Sequence, residues 1–140
     1  MDDMNKDATL FLIEDDDVDA LSVERAFSKL RIANPILRAR DGIEALSMLE
    51  SNQVPKPYVI LLDLQMPRMN GLEFLEAVRS SDTFQHSVIF VLTTSRSEEE
   101  RTLAYKKQIA GYFLKDVSGS GCMDVSALLN GYWKISILPT

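Results

Sequence analysis

Four places in this chain carry side chains whose types and spacing could do chemistry. Glu14-Asp15-Asp16-Asp17 sets four acids in a row, and Asp63 closes the apolar run Tyr58 to Leu62. Thr93 closes a second apolar run, Val88 to Leu92, and Lys115 follows a short third one, Gly111 to Leu114. Carboxylates crowded together repel and raise one another's pKa unless a positive charge intervenes. A hard divalent cation is the natural compensator, and Mg2+ in particular takes octahedral oxygen ligands, pairing one or two carboxylates with a phosphate. A carboxylate can also attack phosphorus to give an acyl phosphate. Such a transfer needs mainly positioning and neutralisation of the phosphoryl oxygens, which an ammonium at Lys115 and a hydroxyl at Thr93 would supply.

Whether these residues meet depends on the elements that carry them. Ala8 to Ile13 is an apolar run too short for a helix and reads as a buried strand. From Val18 the period becomes helical, with Ala20, Val23, Ala26, Phe27 and Leu30 on one face, to about Lys29. Asn34-Pro35 interrupts, Ile36 to Ala39 is a second strand, and Asp41 caps a helix that should turn Ile43, Leu46 and Leu49 inward. The strand ending at Asp63 follows the breaker Pro55 to Pro57, and a helix over 72–79 should bury Leu72, Leu75 and Val78. Val88 to Leu92 is the fourth strand. Ser97 with Glu98, Glu99 and Glu100 reads as a capping box opening a polar surface helix. Gly111 to Leu114 is the fifth strand, a flexible Ser-Gly-Ser-Gly linker occupies 118–121, and a last helix should bury Val125, Leu128, Leu129, Tyr132 and Ile135.

Five strands alternating with five helices predict an α/β, flavodoxin-like (βα)5 fold: a five-stranded parallel sheet of order 2-1-3-4-5, helices on both faces. In that order the first and third strands are neighbours, so Glu14 and Asp15 would stand beside Asp63. Residues 1–7 read as a solvated arm and 8–140 as one domain, with about 25 residues after Lys115, enough for a helix and no output domain.

Composition bounds the partners. The 140 residues are 46% hydrophobic and 26% charged, with a net charge of −6 that argues against a sequence-independent grip on nucleic acid or an anionic membrane. No apolar run reaches membrane-spanning length. A single cysteine, Cys122, rules out an internal disulfide and fits a reducing, cytoplasmic setting. One histidine, His86, leaves oxygen atoms as the ligands for any metal.

The acid pair Glu14-Asp15, Asp63 followed by Met66-Pro67-x-Met69-x-Gly71, Thr93 and Lys115, in this order, resemble the receiver domain of bacterial response regulators across residues 8 to 137. The resemblance implies that Asp63 is the phospho-acceptor and that Mg2+ is held by Asp15, Asp63, the backbone carbonyl of Gln65 and, through water, Glu14. It implies that Thr93 and Lys115 bind the phosphoryl group and that Tyr112 is the switch aromatic following Thr93. The segment VLTTS at 91–95 and the tail from Tyr132-Trp133 to Leu138-Pro139 are similar to single-domain regulators paired with bacteriophytochrome-type histidine kinases. That implies a phosphohistidine donor and leaves a homodimer open, while the short stretch after Lys115 and the net charge of −6 point to a downstream protein or phosphotransfer partner and to no nucleic acid. The chain departs from the family where Asp116 stands in place of the usual cis-proline after the active-site lysine.

Plainer readings stand beside these. Asp16 and Asp17 serve as helix caps, Asp63 alone could be a turn residue, and Thr93 and Lys115 alone could be a strand-end hydroxyl and a solvated charge. Cys122 and His86 read as packing or surface residues. A phosphatase of the haloacid-dehalogenase kind needs a second aspartate two residues after the nucleophile, where this chain has Gln65, so the chain does not read as an enzyme in its own right. A pseudo-receiver that binds partners without phosphorylation is the alternative, favoured by Asp116 and disfavoured by the intact acid pair and Asp63.

Overall fold

The computed structural model describes residues 8–115 and 120–139. Strands β1 (Thr9–Ile13), β2 (Ile36–Ala39), β3 (Tyr58–Leu62), β4 (Val88–Thr93) and β5 (Gly111–Leu114) alternate with helices α1 (Asp17–Lys29), α2 (Gly42–Glu50), α3 (Gly71–Arg79), α4 (Glu98–Lys106) and α5 (Ser120–Ile135). All neighbouring strands are parallel, in the order β2-β1-β3-β4-β5. This is the predicted flavodoxin-like sheet.

The strands read as unbroken apolar runs because both faces of the sheet are covered. Phe11, Ile13, Ile60, Leu62, Ile89 and Val91 point to one side, where α2, α3 and α4 supply Ala45, Leu49, Phe74, Leu75, Val78 and Ala104. Leu10, Leu12, Val59, Leu61, Phe90 and Leu92 point to the other, against Ala20, Val23 and Phe27 of α1 and Val125, Leu129 and Trp133 of α5. Burying each large apolar side chain contributes about 1.5–3 kcal/mol.

Register aligns the strand ends that matter. Ile13 pairs with Leu62, Leu62 with Val91, and Thr93 with Leu114. The ladder runs one residue further, with the Asp63 amide donating to the Ile13 carbonyl at 3.1 Å and the Glu14 amide to Ala39 at 3.0 Å. The carboxyl-terminal rim therefore presents Glu14, Asp63, Thr93 and Lys115 side by side. At the opposite end Arg79 fastens two loops together: its guanidinium donates to the carbonyls of Gln85, Ser87, Lys107 and Gln108 at 2.7–3.0 Å.

Several helix faces differ from the sequence expectation. In α2, Ala45 and Leu49 face the core, while Ile43 is 47% exposed and Leu46 is half-buried. In α3, Phe74 joins Leu75 and Val78 in the core and Leu72 is only half-buried. In α5 the buried stripe is Val125, Leu129 and Trp133, leaving Leu128 exposed and Ile135 87% exposed. Trp133, edge-on to Phe27 at 6.1 Å, fills the gap between α1 and α5 that the smaller residues cannot. Helix α5 starts at Ser120, so the second half of the expected linker is helical; its first half lies outside the described residues, as do the arm 1–7 and Asp116. At Ser97 only half of the expected capping box forms: Ser97 Oγ accepts from the Glu100 amide at 3.1 Å, but the Glu100 carboxylate turns elsewhere. The reciprocal box belongs to α3, between Asn70 and Glu73.

Candidate functional site

The rim brings Glu14, Asp15 and Asp63 together: each offers a carboxylate oxygen, and these lie within 4.8 Å of one another. Glu14 and Asp63 are buried and Asp15 half-buried. Gly71 keeps the loop after β3 tight, since a Cβ there would fall 2.7 Å from the Asp63 carbonyl oxygen and the Leu64 Cα. Opposite the acids sits Lys115, its amide donating to the Thr93 carbonyl at 2.8 Å. Its ammonium donates to Glu14 at 2.7 Å, Asp19 at 2.8 Å and Asp63 at 3.2 Å, and its side chain is 11% exposed.

Electrostatics follow from that crowding. Burial and then the Asp63 charge push the Glu14 carboxyl from 4.5 up to about 7, against the pull of Lys115 and the Asp16 amide. For Lys115, burial favours the neutral amine, but bonds to Asp19 and Glu14 and the charge of Asp63 outweigh it, so its pKa rises. Four carboxylates face one ammonium, so the site is short of positive charge, and the donor set is all oxygen. Three convergent carboxylates without histidine or thiolate fit a hard divalent cation.

A second network lies along the same rim. The Gln65 amide donates to Asp63 Oδ1 at 3.1 Å, and its side chain reaches the Glu100 carboxylate at 3.3 Å. Glu100 also accepts from the Ser95 hydroxyl. The Ser95 amide donates to the buried Thr93 hydroxyl at 3.3 Å, and the Ser95 carbonyl accepts from Tyr112 Oη at 2.9 Å. Tyr112, half-buried, is thus tied to the loop that begins at Thr93. Beside this network opens a cavity of about 360 Å3 lined by Asp15, Gln65, Met66, Pro67 and Glu100 among others. Further along the loop, Arg68 sits in the left-handed region at φ 63° and pairs with buried Asp41, the N-cap of α2. Burial pushes Asp41 up, but bonds from the Glu44 amide and Arg68 hold it below the usual carboxylate value.

The structure thus gathers every site residue singled out in the sequence onto one rim: Glu14, Asp15, Asp63, Gln65, Thr93, Tyr112 and Lys115. His86 lies at the opposite end of the sheet, beside Ser87 and Val88, and Cys122 packs against the core from the first turn of α5. Sequence reading missed Asp19 and the Glu100–Ser95 pair. Asp19 had one signal, its place one turn after Asp15 at the start of an amphipathic helix. For Glu100 the local capping pattern pointed to Ser97 instead of Ser95, and its other partner, Gln65, is 35 residues away.

Residues 10–124 match the response regulator receiver domain family. The chain belongs to that family. It is 31% identical over 127 residues to the probable methanogenesis regulatory protein FilR2 of Methanothrix harundinacea, covering 89% of this chain and 82% of that one. It is 26% identical over 136 residues to the response regulator Rcp1 of Synechocystis, covering 94% and 92%. Among solved structures, the phosphorylated cyanobacterial phytochrome response regulator RcpA superposes with a TM-score of 0.85 at 26% identity, over 95% of this chain and 99% of that one. The Mn2+-bound form of Rcp1 superposes with 0.83 at 25% identity over the same shares. Receiver domains are the phosphoryl-accepting partners in two-component signalling, and the acid rim of this one is where such a domain holds its cation. No helix among the described residues is long and apolar enough to cross a membrane.

Proposed function

We propose that this receiver domain takes a phosphoryl group on Asp63 from a phosphohistidine of a sensor histidine kinase, of the bacteriophytochrome type, and thereby changes a protein-binding face. The observation that carries this is the convergence of Glu14, Asp15 and Asp63 with Lys115 reaching into the cluster. A carboxylate oxygen of Asp63 bonds to phosphorus as the P–N bond of the donor breaks and the imidazole leaves with the electron pair. Mg2+, held by Glu14, Asp15, Asp63 and the Gln65 carbonyl, would neutralise charge on the phosphoryl oxygens. Lys115 supplies a second positive charge from the opposite side, and the Thr93 hydroxyl donates to the group once it turns toward Asp63. That turn draws on Ser95, which bonds both Thr93 and Tyr112, so the loop leading to α4 and the aromatic ring respond together. The chain acts in the cytoplasm without catalysis beyond gain and loss of its own phosphoryl group. Its output is contact with a downstream protein or phosphotransfer partner, as monomer or homodimer.

The test is direct. Acetyl phosphate with Mg2+ is expected to add one phosphoryl group, seen by intact mass, and Asp63→Asn to abolish it. A wild-type protein left unmodified at saturating donor would return the chain to the pseudo-receiver reading.

A further inference from the structure

The metal cluster and the lysine share two acids but not a third. Lys115 Nζ has three N–H donors, and each meets a carboxylate: Glu14, Asp63 and Asp19. Glu14 and Asp63 also belong to the oxygen cluster with Asp15; Asp19 does not. Asp19 stands in the first turn of α1, where its amide donates to the N-cap Asp16 at 3.0 Å, so its backbone is fixed. Its side chain is 39% exposed, the least buried of the three partners. A cation on the cluster takes over the charge that Lys115 now balances on Glu14 and Asp63. The Asp19 bond is the one that such a cation leaves intact.

We infer that Asp19 is a positioning residue for phosphoryl transfer: it holds the Lys115 ammonium at the rim beside Asp63 when the other two carboxylates turn to the metal. This rests on Asp63 being the phospho-acceptor. The physical ground is the freedom of the lysine. A four-carbon stem with rotatable bonds wanders unless both ends are tied. Here the base is tied through the Lys115 amide to Thr93 and the tip to Asp19. The tip therefore stays within reach of Asp63 Oδ2, now 3.2 Å away, where the phosphoryl oxygens will stand.

Two readouts separate positioning from support of the fold. In wild-type protein labelled with 15N, the Lys115 ammonium is expected as a protected 15Nζ resonance both without metal and with Mg2+; Asp19→Asn should shift and broaden it, most with Mg2+ bound. At saturating acetyl phosphate and Mg2+, Asp19→Asn should slow phosphorylation about tenfold, and Asp19→Glu should restore most of the rate. Affinity for Mg2+, measured by calorimetry, should change by less than about threefold. A variant phosphorylated at the wild-type rate overturns the inference, as does an unchanged ammonium resonance, or a loss that Asp19→Glu does not rescue and that tracks a fall in Tm. If wild-type protein itself takes no phosphoryl group, the assignment of Asp63 fails first and this one with it.

Discussion

The two networks along the carboxyl-terminal rim are built from similar groups and differ in how they are held. On the β1 side a single ammonium serves three carboxylates, two of them buried, and without a metal neither of that buried pair can turn from it without leaving a buried charge behind. On the β4 side Glu100, half-buried, links Ser95 and Gln65, and Ser95 links Thr93 and Tyr112 through hydroxyls and one carbonyl. Breaking a charged and buried arrangement is costly, whereas exchanging one neutral hydroxyl bond for another costs about 1 kcal/mol. The first network fixes where the chemistry happens; the second is the part that can respond to it.

Removing the cation from the stiff side should show the largest effect. Lys115→Met should destabilise the metal-free protein by about 3–5 kcal/mol at pH 8 in urea unfolding, and Mg2+ should recover most of it by replacing the missing charge. A loss no greater than that of Glu100→Ala would erase the contrast between the two sides. The next effect is in pH. Because the folded protein holds the Glu14 proton more tightly than the unfolded chain, its contribution to stability is fully present below about 4.5 and is lost as pH rises through about 7. Metal-free protein should therefore lose on the order of 3 kcal/mol from this group across that window. Mg2+ should bind more tightly as pH rises from 6 to 8, releasing about one proton near pH 7, as calorimetry in buffers of different ionisation enthalpy would show. A pH-independent affinity would mean that Glu14 is already ionised. On the responsive side the effect is smallest: Glu100→Ala should cost less than about 1 kcal/mol while accelerating amide exchange at Ser95 and Ser97. Unchanged exchange there would place the mobile element elsewhere.

The sheet and its charged rim were legible because short apolar runs, each ending in a polar residue, alternate with helical periods, and the flavodoxin-like order adopted for that pattern makes the first and third strand ends neighbours. Asp63 and Glu14 could be placed together from topology alone. The helix faces were less legible. In α5 two apolar stripes compete, Val125-Leu129-Trp133 and Leu128-Tyr132-Ile135, and hydrophobicity does not say which one meets the sheet; the volume of Trp133 against Phe27 does. In α2 the smaller Ala45 lies inward with Leu49, one turn on, and Ile43 is left outside. Glu100 looked like one half of a capping box because that pattern is local, and its actual partners come from the turn before the helix and from another strand's loop.

Arg79 bears on how any signal can travel. By binding the carbonyls of Lys107 and Gln108 together with those of Gln85 and Ser87, it clamps the entrances to β4 and β5 to α3. With its near end held in this way, β5 is anchored where it leaves Gln108, and a displacement driven from the rim is expected to be larger toward Lys115 than at Gly111. Deuterium uptake after phosphorylation should accordingly rise in a gradient from Gly111 to Leu114, and Arg79→Lys, which keeps the charge but lacks the fork, should flatten it.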